Sequence, residues 1–84
     1  MNQSEIQQAF LEALVSVAPD AEPDALDRDE PLREQMDLDS MDLLNLVIRL
    51  NEVLGVEVPE RDYPRLDSVA NAVAYLEAAL QAKG

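Results

Sequence analysis

The sequence predicts an all-α fold, a small four-helix bundle of three main helices and one short helix with a long first loop. Two observations lead there. Ala, Leu and Val dominate the apolar residues while aromatics make up 4% and tryptophan is absent, a composition that favours helices over sheets. Apolar residues also recur at helical spacing in three separate segments, with turn-forming residues between them. A chain of 84 residues reads as one domain, residues 1–84. It buries roughly 60% of its unfolded surface and has little room for a deep pocket of ~300 Å³ or more.

The first helix is expected over Glu5–Val17. Ser4 to Gln7 has the S-x-x-Q pattern of a capping box, and Ile6, Phe10, Leu14 and Val17 share one face. Pro19 stands near its end, because the residue before a proline avoids helical geometry. Pro19 to Leu38 is then a long, acidic connection with Pro19, Pro23 and Pro31, and loops of this length tend to be functional or disordered. Leu26, Leu32 and Met36 are placed to pin it, and Pro31 to Gln35 can hold one helical turn.

The second main helix starts at Asp39 or Ser40 and runs to Leu54, with Gly55 as its stop. On a projection at about 100° per residue, Leu43, Leu46, Val47, Val53 and Leu54 fall within about 60° of Leu50 and make a core face. Met41, Leu44 and Ile48 fall on the far side at about 120° to 180°. Scattered exposed apolar residues are ordinary, but three at i, i+3 and i+7 beside Ser40 form a docking stripe. Asp42, Asn45, Arg49 and Glu52 rim it. After Gly55, "VEVPERDYPRL" fits one helical turn at Glu60–Tyr63; the alternative, a strand at "VEV", has no evident partner. Asp67 or Ser68 caps the last helix, which buries Val69, Val73, Leu76 and Leu80. Lys83 and Gly84 lie at its end, where a positive charge suits the helix dipole. The arrangement is antiparallel, with one long crossover.

The net charge is −12, with only six Lys and Arg. That argues against nucleic acid, whose backbone is held by cations, and against anionic lipid surfaces. It favours basic patches on other proteins. No apolar run approaches the ~18 residues of a membrane span, and no signal-peptide pattern opens the chain, so a cytoplasmic monomer is expected. Cysteine and histidine are both absent, which removes disulfides, thiol catalysis and the commonest metal ligand.

The stretch "LDSMD" (Leu38 to Asp42) therefore poses a narrow question. Ser40 has no histidine to activate it, Lys83 is the only lysine, and no G-x-S-x-G elbow surrounds it. No catalytic residue is expected, and the chain is not read as an enzyme. "DLDSMD" lacks the glycine and terminal glutamate of a calcium loop, so no metal site is expected either. Ser40 or Asp39 suits a helix N-cap. A phosphate on Ser40 would sit well at a helix N-terminus but would be repelled by the flanking acids. Attachment of a group by another enzyme is the further option, with a phosphodiester near the positive end of the helix.

The segment "LDSMDLLNLVIRLNEVLGVEVP" (Leu38 to Pro59) resembles the signature of acyl carrier proteins, an Asp-Ser-Leu motif at the start of the second helix. The resemblance extends to the acidity, the long proline-bearing loop, the short helix after "VEVP" and the final "SVANAVAYL" helix. It implies that Ser40 carries 4′-phosphopantetheine, added from coenzyme A by a phosphopantetheinyl transferase. Asp39 is the flanking motif acid and helix cap. Met41, Asp42, Leu44, Ile48 and Glu52 are, on this resemblance, the expected partner-binding residues. The arm holds acyl groups as thioesters, loaded by an acyl- or aminoacyl-activating ligase and passed to acyltransferase or synthase enzymes in lipid metabolism, with fatty acid biosynthesis the family's typical setting. Asp37 stands where glycine is common, Met41 replaces leucine, and Asn45, Arg49 and Asn51 stand where typical fatty-acid carriers are more acidic. These departures point to a specialised lipid or secondary-metabolite pathway. Two alternatives remain: an aminoacyl carrier of the D-alanyl type, and an unmodified acidic adaptor that docks through the same helix.

Overall fold

The structure is a computed structural model and describes residues 1–83. Gly84 and the Lys83 side chain, expected at the end of the last helix, lie outside the described residues. The elements are α1 (Gln3–Val17), a 3₁₀ turn (Pro23–Ala25), α2 (Leu32–Gln35), α3 (Ser40–Leu54), a 3₁₀ segment (Glu60–Leu66) and α4 (Val69–Lys83). No strand forms among the described residues; Val56 and Val58 of "VEV" instead bury their side chains in the core from irregular chain. The fold is the expected all-α bundle. Helix α1 packs against both α3 and α4, and the 3₁₀ segment packs against α4.

Helix α1 begins at Gln3, earlier than the expected Glu5, because its capping box is Asn2 with Glu5 and not Ser4 with Gln7. The Asn2 side chain accepts from the Glu5 amide at 2.8 Å, and Glu5 accepts from the Asn2 amide at 3.1 Å. Asparagine caps as well as serine, and the charged Glu5 suits the positive helix end better than neutral Gln7. Ile6, Phe10, Ala13 and Leu14 are buried. They meet Leu46, Val47 and Leu50 of α3 and Val69, Ala72, Val73 and Leu76 of α4 in one core. Ser68 caps α4, its hydroxyl accepting from the Asn71 amide at 3.1 Å, while Asp67 binds the Asn71 side chain at 2.8 Å.

The long loop is ordered by its own hydrogen bonds. Gln35 accepts from the Asp27 amide at 2.6 Å and donates to the Asp27 and Glu30 carbonyls at 2.8 and 3.0 Å. The Leu32 amide donates to the Asp67 carbonyl at 2.7 Å, and the Ala70 amide to the Arg28 carbonyl at 2.8 Å. Leu32 is buried, and Leu26 and Met36 pack half-buried against the core.

Two further expectations are corrected. The segment after Pro59 is not one turn at Glu60–Tyr63 but a 3₁₀ helix to Leu66, with Pro64 inside it. It is held to α4 along its length: Leu66 is buried, the Tyr75 hydroxyl donates to Asp62 at 2.8 Å, and the Arg65 guanidinium lies 5.1 Å from the Tyr75 ring centre. Burial first, then the bond to Asp62, raises the Tyr75 phenol above its ordinary pKa. Val53, assigned above to the core face, is 48% exposed. It sits at the edge of that face in the last turn of α3, where helical angle alone does not decide what lies opposite.

Candidate functional site

The site is built at the N-terminus of α3. Asp39 is the N-cap, in extended backbone geometry, and its carboxylate accepts from the Asp42 amide at 2.8 Å. Asp42 reaches back to accept from the Asp39 amide at 3.4 Å, which completes a capping box made of two aspartates. Both carboxylates therefore face the amides that a helix start leaves unsatisfied.

This arrangement leaves Ser40 as the first residue of the helix and not its cap. Its side chain is exposed, and among the described residues no hydrogen bond holds its hydroxyl. No group of three or more Asp or Glu among the described residues is arranged to hold a metal ion.

Ser40 also opens onto a cleft of about 450 Å³ between α2, α3 and the 3₁₀ segment. Leu32, Leu38, Leu43, Tyr63, Pro64 and Leu66 make its apolar walls, and Arg33, Asp39 and Asp67 contribute charge. Sequence reasoning missed this cleft. Its walls come from three separate elements, and nothing near Ser40 in the chain signals that Tyr63 and Pro64 fold back beside it.

On the neighbouring side of α3, Met41 is 63%, Leu44 40% and Ile48 50% exposed, as the projection predicted. Glu52 is exposed too, and pairs with Arg49 at 3.9 Å. Asp42 is the exception among the expected partner-binding residues. It is half-buried in a second cleft with Val17, Pro19, Met36 and Asp37, away from the apolar stripe.

Comparison with known proteins agrees with this geometry. A family profile described as the phosphopantetheine attachment site matches residues 8–76, so the chain is of the class of domains that carry phosphopantetheine. It is 36% identical to an acyl carrier protein of Campylobacter hominis over 73 residues, 87% of this chain and 86% of the relative. Acyl carrier proteins of Renibacterium salmoninarum (28% identity, covering 84% of this chain and 88% of the relative) and Thermosynechococcus vestitus (29%, 90% and 93%) are also similar. The chain belongs to the acyl carrier protein family, and phosphopantetheine is its cofactor. An exposed, unpartnered hydroxyl beside an open cleft fits the attachment of such an arm. No helix among the described residues is long and apolar enough to cross a membrane.

Proposed function

We propose that Ser40 is the residue that carries the arm, and that residues 1–84 act as one carrier domain that presents acyl thioesters to partner enzymes without catalysing their chemistry. The observation that carries this reading is the division of labour at the start of α3: Asp39 does the capping, so the Ser40 hydroxyl stays free. The bound arm supplies a terminal thiol on which cargo rides as a thioester. The chain's own residues do the rest. Ser40 offers the oxygen that becomes esterified. The helix start places that oxygen near unsatisfied amides suited to a phosphodiester. Met41, Leu44 and Ile48 give a visiting phosphopantetheinyl transferase, ligase or synthase an apolar surface beside the reacting position.

The flank of that surface supports a specialised pathway inside the cell over the general fatty-acid one. Asn45, Arg49 and Asn51 are exposed on α3, so the docking side carries mixed and neutral groups despite a net charge of −12. The test is intact mass after incubation with coenzyme A and a phosphopantetheinyl transferase. The expected result is a gain of one phosphopantetheine, abolished in Ser40→Ala. No gain with several competent transferases would leave the stripe as the surface of an unmodified adaptor.

A further inference from the structure

A phosphodiester on Ser40 would stand beside two aspartates, in a chain of net charge −12. Asp39 and Asp42 each spend a carboxylate oxygen on a backbone amide, yet both keep their negative charge close to the attachment point. Like charges this near repel appreciably even at the effective dielectric of a protein surface. A local counter-charge is therefore needed if the arm is to rest against the protein and not be pushed into solvent.

The cleft beside Ser40 holds one. Arg33, on α2, is the only cationic residue that lines it. It forms no ion pair among the described residues, whereas Arg49 is paired with Glu52 and Arg65 lies over the Tyr75 ring. The other carboxylate of the cleft, on Asp67, is bound by the Asn71 side chain. The one positive charge in the cleft, set against the carboxylates of Asp39 and Asp67, is thus a guanidinium without an ion-pair partner among the described residues, the group best shaped to hold a phosphate through two parallel hydrogen bonds.

We propose that Arg33 is a positioning residue for the arm: it pairs with the phosphodiester on Ser40 and turns the arm into the cleft between α2, α3 and the 3₁₀ segment. This rests on the reading of Ser40 as the attachment residue. The part of the arm next to the phosphate is a gem-dimethyl group, which suits a cleft whose lining includes the apolar side chains of Leu38, Leu43 and Tyr63. Its polar amides follow toward the mouth of the cleft. An arm laid on this side leaves Met41, Leu44 and Ile48 uncovered on the other, so the cargo handle and the docking stripe do not compete for one face of α3.

The experiment uses the modified protein with isotope-labelled pantetheine and arginine, observed by NMR. Intact mass of the parent and of Ser40→Ala first establishes that one arm is added and that it sits on Ser40. The Arg33 side-chain N–H signal should then shift between the unmodified and modified protein. The arm amide nearest the phosphate should show an order parameter above about 0.6, the level below which a segment counts as flexible. In Arg33→Gln that value should fall below about 0.6, Arg33→Lys should be intermediate, and Arg49→Gln, outside the cleft, should change nothing. The unmodified Arg33→Gln backbone spectrum serves to show that the fold is intact. A loaded protein whose Arg33 signal does not move, and whose arm is equally mobile with and without Arg33, overturns the inference while leaving the attachment reading standing. Absence of any mass gain overturns both.

Discussion

The two apolar faces of α3 are made of the same kinds of side chain and do opposite things. Leu46, Val47 and Leu50 are buried against the rest of the core, while Met41, Leu44 and Ile48, on the opposite side of the same helix, stand in solvent. Hydrophobicity alone does not separate them. What separates them is coverage: α1 lies across one face, and the other, among the described residues, is left exposed. A leucine on the first face contributes to stability, and one on the second is available to a partner.

The sharpest challenge to that contrast is truncation of the covered face. Leu46→Ala or Leu50→Ala should cost ~2–5 kcal/mol, the range for emptying a well-packed leucine site, and chemical denaturation would read it directly. A loss no greater than that of an exposed residue would mean the covered face is loosely packed. A smaller effect is expected at the helix start, which belongs to neither face. Asp39→Ala should lower stability by about 1 kcal/mol through loss of the cap, with Asp39→Asn retaining most of it. If Asp39→Ala is silent in thermal unfolding, Ser40 has taken over the cap and its hydroxyl is no longer free. The smallest effect on stability belongs to the open face. Leu44→Ser and Ile48→Ser should stay within ~0.5 kcal/mol of the parent but slow transfer of the arm to Ser40. Unfolding midpoints and modification rates measured on the same samples would erase the distinction between the faces if Leu44 and Ile48 proved as destabilising as Leu50.

Much of this was legible in the chain because helical periodicity is a local signal. The burial of Ile6, Phe10, Leu14, Leu46, Leu50, Val69, Val73 and Leu76, and the exposure of Met41, Leu44 and Ile48, all follow from spacing. Gly55 ends α3 in the left-handed conformation its position suggested, at φ 67°. The misreadings share a different cause. Asn2 and Ser4 are both competent caps, and the choice between them is settled by the charge of Glu5, which a capping pattern of residue types does not rank. Val53 has a core-like angle, but an angle does not reveal where the covering helix lies. The reach of the 3₁₀ segment to Leu66 depends on Asp62 and Arg65 meeting Tyr75, partners distant in the chain. The same holds for the cleft: Ser40 and its flanking acids stand out in one short motif, whereas Arg33, Tyr63 and Pro64 join them only through the fold.

The bonds from the Ala70 amide to Arg28 and from the Leu32 amide to Asp67 fasten the chain into a ring that encloses α3. Closing a ring of this size carries an entropic cost that grows only slowly with its length, so once α4 is in place the loop can be fastened cheaply. Ser40 lies inside that ring, although α4 contributes nothing to its immediate surroundings in sequence. The smallest fragment able to present Ser40 on a properly anchored helix therefore extends at least through Ala70. A fragment cut after Gly55 would keep the whole motif and lose the frame that holds it.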